Sequence, residues 1–343
     1  MASERQLQRY LHHQAQASAH RLIEAGTTVV IAYGGGPANQ YGLASSGNAI
    51  TRELTARGVP AVQIAANSPQ GFDQLVHLDP ARVRVWVTDP YRHSTSATGE
   101  VVRSDLRHDL QPYALPVVSQ STACSTATLF KDQTIGVAGA VGLRTIPGVL
   151  VAQGNNQIDQ ALQLIARNGA VITKPVDGDE GQGVSLATSP AQMLAAIAAI
   201  HHHRSDALVE VYTPGTEVGV PVLVLGPGDI VALPAVEASA DGQLLDHRVK
   251  TTPGALQLFC PPRHLARTVL DQLADHAVNL ATRLNAQAML RADFIVDHTG
   301  TAWFLEANSF PGLSPTGLVM ASLTKLGLTR GDLALLVLSE TDT

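Results

Sequence analysis

Two runs near the C-terminus, "MLRADFIVD" and "TAWFLEANS", are separated only by the turn at His298–Gly300, and nothing else in the chain limits its fold as strongly. Strand-forming residues on both sides of a short turn pair as an antiparallel hairpin. Side chains alternate between the two faces of a strand. Arg291 and Asp293 therefore share a face of the first strand, and Glu306 and Asn308 share a face of the second. The short turn brings Asp293 roughly opposite Glu306. Pairing and packing require none of these polar groups. Two carboxylates and an amide oxygen beside an arginine make a hard oxygen cluster that suits Mg²⁺, which takes one or two carboxylates and fills its shell with phosphate and water. A solvated strand face with an Arg–Asp ion pair explains the same residues. Pro311–Gly312 follows, where the backbone can approach a ligand and offer an N–H to an anion.

The chain around this hairpin has 343 residues, enough for two or three domains. Hydrophobic residues make up 45%, charged residues 15%, and the net charge is −6. No basic run is interleaved with aromatics, so nucleic acid and membrane surfaces are not expected partners. Cys124 and Cys260 alone cannot build a disulfide framework or a cysteine zinc site. The N-terminal "MASERQLQRYLHHQAQASAHRLIEAG" reads as a polar helix without a signal-peptide core. No run approaches the roughly 18 apolar residues of a membrane helix, and a cytoplasmic protein is expected. The chain contains four lysines, Lys131, Lys174, Lys250 and Lys325, against nineteen arginines. A chain that so rarely uses lysine on its surface can keep those few for specific work.

Residues 27 to about 115 read as a βαβ-type domain: "TTVVIAYGGG", a helix through "YGLASSGNAITRELTARG", then "PAVQIAA" and "RVRVWVTD". The polar, aperiodic segment 91–112 is expected to be a long surface loop. From 117 onward a helix around Lys131 precedes "RTIPGVLVA", and strands "AVITKPV" and "GVSLATS" flank the glycine hairpin "DGDEGQ". "ALVEVYTPGTEVGVPVLVLG" opens a strand-rich section, and a helix over 264–285 carries the apolar stripe Leu265, Val269, Leu273, Ala277, Leu280, Leu284. The expected domains are 1–116, 117–206 and 207–343. "HHHR" at 201–204 is read as a helix end, because consecutive histidines point in different directions.

Lys174 just before the glycine hairpin suits a phosphate clamp, with Gly181 and Gly183 supplying backbone donors. Glu210 and Glu217 stand at the two ends of a strand–turn–strand. Taken singly these signals are weak, but their order resembles the ATP-grasp superfamily, and most closely its D-alanine–D-alanine ligase branch. The resemblance runs from about 117 to 320 and is most specific in "VKTTPGALQLFCPPRHL" and "LRADFIVDHTGTAWFLEANSFPGLSPTGLV". It implies an α/β (α+β) ATP-grasp fold of three domains, Rossmann-like at the N-terminus, with ATP between the central and C-terminal domains.

The resemblance also assigns residues. Lys131 and Lys174 would contact phosphates, Glu210 and the backbone to Tyr212 would read adenine, and Glu217 would take the ribose. Lys250 would reach the γ-phosphate from a mobile loop. Asp293, Glu306 and Asn308 would hold two Mg²⁺ or Mn²⁺ ions. Arg291 and the Gly312 backbone would stabilise the tetrahedral intermediate and hold the acceptor's carboxylate. The implied reaction phosphorylates a carboxylate and lets an amine attack the acyl phosphate, releasing ADP, phosphate and an amide, with segments 177–184 and 236–256 as lids. A homodimer is implied as well.

The chain departs from the pattern at the amino-acid end. Asn39 stands where a glutamate binds the first substrate's ammonium, Thr251 where a tyrosine follows the lysine, and Gly317 in place of a serine. Arg92, His93, Arg103 and Arg107 lie where a histidine–glycine loop is usual, suited to a larger or more acidic substrate. These departures favour a dedicated ligase for other amino-acid-like substrates over the cell-wall enzyme. A D-Ala–D-Ala or D-Ala–D-X ligase of altered specificity is the alternative. A Rossmann oxidoreductase, from "AYGGGPAN", and a non-catalytic nucleotide-binding protein are the remote ones.

Overall fold

Helix α1 (Glu4–Glu24) starts at a capping box on Ser3 and buries Leu11, Ala15, Ala19 and Leu22 along one stripe. It leads into a sheet made of β1 (Thr28–Gly35), β2 (Ala61–Ala65), β3 (Val83–Thr95), β4 (Val101–Asp105) and β5 (Val117–Val118), with helices α2 (Gln40–Ala56), α3 (Pro69–Val76) and α4 (Leu106–Leu110) between strands. The computed structural model describes residues 3–35, 40–95, 101–154, 157–177, 181–240, 242–252 and 254–339. The strand order is β2-β1-β3-β4, with β5 beside β3. The β1–β2, β1–β3 and β3–β5 pairs are parallel, the arrangement that strand–helix–strand crossovers produce.

Within segment 91–112 the described residues, 91–95 and 101–112, do not form the long loop expected. β3 continues to Thr95 and pairs antiparallel with β4, Tyr91 opposite Asp105 and Arg92 opposite Ser104, and α4 follows. The polar side chains that hid this element satisfy one another. Arg92 donates to Asp109 Oδ2 at 2.9 Å and to the Ala66 carbonyl at 2.8 Å, and Arg107 grips Asp105 and the Gln120 carbonyl. Arg92 and Arg107 are thus both engaged by partners within the fold. The His93 and Arg103 side chains lie outside the described residues.

The second sheet consists of β6 (Gly148–Val151), β7 (Val171–Pro175), β8 (Ser185–Ala187) and β9 (Ala207–Val211), in the order β6-β9-β7-β8, all antiparallel. Helices α5 (Thr122–Leu129) and α6 (Lys131–Ala140) precede it, and α7 (Ile158–Asn168) and α8 (Pro190–His202) cover it with Ala161, Ile165, Met193, Ile197 and Ile200. The boundary expected at 206 falls just before β9, which is bonded between β6 and β7 in this sheet. The run Ala207–Val211, apolar except for Glu210, marks a strand buried on both faces without saying which sheet it joins.

The third sheet contains β10 (Thr216–Gly226), β11 (Asp229–Ala232), β12 (Val236–Ser239), β13 (Gln257–Phe259), β14 (Met289–Val296) and β15 (Ala302–Asn308), ordered β13-β12-β10-β14-β15 with β11 beside β10. α9 (His247–Thr251) lies between β12 and β13, and α10 (Arg267–Arg283) covers one face with Leu273, Ala277 and Leu280. The opposite side carries α11 (Leu318–Lys325) and α12 (Arg330–Val337), the latter buried from Gly331 to Val337. α12 is wedged beside α1 and α2. There the Gly331 N–H donates to Glu53 at 2.6 Å, and Arg57 donates to Asp332 Oδ2 at 2.9 Å. A side chain at Gly331 would place its Cβ 2.9 Å from that of Glu53, so this contact requires glycine. First and third sheets are therefore clamped together through the C-terminal helix. Among the described residues, no helix is long and apolar enough to cross a membrane.

Candidate active site

Hairpin β14–β15 has the register expected: Arg291 opposite Asn308 and Asp293 opposite Glu306, with an irregularity before Phe294. Arg291 holds Asp293 with a two-pronged fork, Nε to Oδ1 at 2.8 Å and Nη2 to Oδ2 at 2.7 Å. The Asn308 side-chain oxygen accepts the Phe310 N–H at 2.9 Å, starting the turn into Pro311 and Gly312. Lys131, at the first turn of α6, brings its ammonium to 3.9 Å from Glu306 Oε2.

Two cavities meet here. One, about 500 Å³, lies between the second and third sheets and is lined by Lys174, Gly181, Glu210 and Tyr212 among others. The other, about 710 Å³, lies between the first and third sheets and is lined by Arg291, Asp293, Asn308, Gly312 and Gly317 among others. Both are lined by Lys131, Glu217, Lys250 and Glu306, so these four side chains stand at the junction.

In the first cavity, Lys174 Nζ lies 2.6 Å from Glu210 Oε2, with both side chains almost fully buried. Glu210 Oε1 is buried without a hydrogen-bond partner, which leaves it an acceptor for a ligand's N–H. Gly148 sits opposite Glu210 on β6, where a Cβ would come within 2.9 Å of the Glu210 side chain. Nothing in the sequence linked this glycine to the site. The backbone N–H groups of Val211 and Tyr212 are already given to the Pro147 and Ala170 carbonyls. Gly181, at φ +73°, accepts the His247 N–H on its carbonyl at 3.2 Å, so the glycine hairpin touches the start of α9.

Some expected residues are not brought to the cavities. Gly183 lines neither; it is packed so closely on Pro175 that a Cβ would sit 2.8 Å from the ring. Thr251 lines neither, because its hydroxyl turns back to donate to the His247 carbonyl at 2.7 Å, as threonine commonly does within a helix. Asn39 lies outside the described residues, as do parts of both expected lids, at 178–180, 241 and 253.

Charge at the junction is finely divided. Burial pushes the Glu306 carboxyl up, but Lys131, Lys250, Lys174 and Arg291 outweigh it and hold the group below its usual range. Glu217 goes the other way: burial pushes it up to about 7, and Asp293 and Glu306 add to the rise against Lys250 and Lys174. Among the described residues no three His, Cys, Asp or Glu side chains form a metal cage. The set available is Asp293, Glu306 and the Asn308 oxygen, which fits Mg²⁺ sharing its shell with phosphate. Each carboxylate oxygen has about two acceptor sites, so Asp293 can keep its arginine and still ligate a cation.

The raised Glu217 gives a testable pH dependence. Its folded value near 7 exceeds the roughly 4.3 of an unfolded glutamate. The folded chain therefore binds this proton more tightly. The resulting stabilisation is complete below pH ~4 and is lost as pH rises to about 7. Glu217→Gln cannot ionise, so it should match the parent near pH 4 and exceed it at pH 8, by roughly 3 kcal/mol. Urea melts of the ligand-free protein at both pH values would measure this, and an unchanged pH slope would refute it.

The family profile described as D-ala D-ala ligase C-terminus matches residues 138–338. The D-alanine–D-alanine ligase of Gloeobacter violaceus is 29% identical over 216 residues, covering 62% of this chain and 69% of that protein. That of Nitratidesulfovibrio vulgaris strain DP4 is 32% identical over 158 residues, 46% of this chain, and the match spans about half of that relative's length (50%). The crystal structure of D-alanyl-alanine synthetase A from Vibrio cholerae superposes with a TM-score of 0.75 at 18% identity, covering 93% of this chain and 99% of that one.

Proposed function

The chain belongs to the D-ala D-ala ligase C-terminus family and is an ATP-grasp ligase, and from that premise we propose that it joins D-alanine through its carboxyl group to the amine of a second D-alanine or close analogue, at the expense of ATP. One observation supports this most strongly: two cavities of different character share the wall of Lys131, Glu217, Lys250 and Glu306. A phosphoryl group entering from a nucleotide in the first cavity would meet a carboxylate in the second at that wall. The relatives are D-alanine–D-alanine ligases, so the expectation of other substrates, drawn from Asn39, Thr251 and Gly317, gives way to the D-alanine reading. The oxidoreductase alternative falls with the family match.

In this reading Lys131, Lys174 and Lys250 spread the charge of the migrating phosphoryl group. Glu210 accepts from the nucleotide base through its unpartnered oxygen. Asp293, Glu306 and Asn308 would hold Mg²⁺, which supplies neutralisation of the phosphate oxygens. Arg291 and the Gly312 N–H face the oxygen that gains charge when the amine attacks the acyl phosphate. The contact of Gly181 with the start of α9 would help keep water from that phosphate. ADP release with Mg-ATP and D-alanine, with mass spectrometry of the product, tests the reading. The expected result is D-alanine-dependent ADP and a dipeptide, both lost in Glu306→Ala. A protein that binds ATP but releases no ADP with D-alanine or any other amino acid would overturn it.

A further inference from the structure

An amino acid entering the second cavity is a zwitterion, and its ammonium must meet an anion once water is stripped away. Of the carboxylates lining that cavity, Glu217 and Glu306 also line the nucleotide cavity, Asp293 faces Glu306 across the β14–β15 hairpin, and Asp177 follows β7 of the second sheet. The wall contributed by the first sheet and α2 holds Gly42, Ser46, Gly47, Thr88 and Tyr91, and one acid among the described residues, Asp89.

The backbone aims Asp89 with two irregularities. In the β1–β3 ladder Ala32 faces Val87 but Tyr33 faces Asp89, so Thr88 is an extra residue, and a second shift follows before Gly35 faces Arg92. Bulges of this kind re-aim side chains beside binding sites. The sequence makes room for them at Gly34, where a Cβ would lie 2.5 Å from the Tyr91 carbonyl oxygen. The Tyr91 N–H donates to Asp89 Oδ1 at 2.9 Å and fixes the carboxylate. The Tyr91 ring meets Phe310 edge-on at 6.0 Å, which joins this support to the turn carrying Gly312. Asp89 also lies near the C-terminal end of the stretch of β3 that pairs in parallel with β1, the side on which open α/β sheets bind ligands.

We propose that Asp89 receives the α-ammonium of the amino acid whose carboxyl group is phosphorylated. The inference rests on the ligase reading above. It explains how a chain with a neutral amide at Asn39 can still select a protonated amine: the anion is supplied from the bulged end of β3. The acid to be activated is held with its ammonium on the first-sheet wall and its carboxyl at the junction with the nucleotide cavity. Asp89 is then a specificity residue for the first substrate and takes no part in binding ATP.

Hydroxylamine in place of the second amino acid reads the first site alone, since it attacks the acyl phosphate and yields a hydroxamate and free phosphate. With saturating Mg-ATP, Asp89→Asn should raise the D-alanine concentration for half-maximal hydroxamate by about 10- to 100-fold. The half-saturating ATP concentration should stay at the parent's value, because Asp89 lines the second cavity and not the first. A D-alanine half-saturation within twofold of the parent, or an ATP half-saturation that rises in parallel, would overturn the assignment while leaving the ligase reading intact. No hydroxamate from the parent protein with any D- or L-amino acid would overturn the ligase reading, and this inference with it.

Discussion

Lys174→Met should both abolish nucleotide binding and lower folding stability by about 3–5 kcal/mol. The two losses share one cause. The Lys174 ammonium lies 2.6 Å from Glu210 Oε2 with side-chain exposures of 4% and 3%, so neither charge has water to fall back on. Glu210 Oε1 already lacks a partner. Without the lysine, a whole carboxylate is left in a nearly dry pocket, and breaking a buried pair on one side costs far more than the pair contributed. Adding Glu210→Gln to Lys174→Met should recover most of the stability, because the stranded charge is gone. It should not recover ATP binding, because the cation proposed to face the phosphates is still missing. Urea melts and nucleotide titrations of the single and double variants measure both effects. A single variant within about 1 kcal/mol of the parent that still binds ATP would refute the account.

That pair also marks how far the sequence could be read. Hairpin β14–β15 was legible because a period of two and a short turn leave one register, and Asp293 faces Glu306 as expected. Lys174 and Glu210 were legible as candidates but not as partners. They sit on β7 and β9, where Lys174 faces Leu208 and Glu210 faces Ile172, and only the sheet order β6-β9-β7-β8 makes them diagonal neighbours. Hydrophobic pattern identifies strands but not their order. Segment 91–112 was misread for a related reason. Arg92 pairs with Asp109 and Arg107 with Asp105, so the polarity of these residues reports internal pairing. Thr251 lines neither cavity because a helix offered its hydroxyl a nearer acceptor. Asp89 could not be found in advance because a bulge breaks the alternation by which strand faces are counted.

Arg291 separates charge from geometry at the reacting centre. Arg291→Lys keeps the positive charge beside Asp293 and Glu306 but replaces a planar fork with a single point donor. The fork matters because both Asp293 oxygens are engaged, at 2.8 and 2.7 Å, and that engagement fixes the guanidinium on the face shared with Asn308 and Glu306. A lysine ammonium satisfies one oxygen at a time and is free to swing. If Arg291 stabilises the developing oxyanion, kcat should fall about 100- to 1000-fold in Arg291→Lys and at least as far in Arg291→Met. The half-saturating ATP concentration should move little in either, since Arg291 lines the second cavity and not the first. The methionine variant carries one further consequence. Arg291 is one of four cations that hold the Glu306 carboxyl below its usual range against burial, so removing its charge should let that carboxyl rise, while lysine should hold it down. The acid limb of the rate profile should then shift to higher pH in Arg291→Met and stay in place in Arg291→Lys. A lysine variant with parental kcat would mean that charge alone suffices, and the oxyanion would have to be stabilised by other groups.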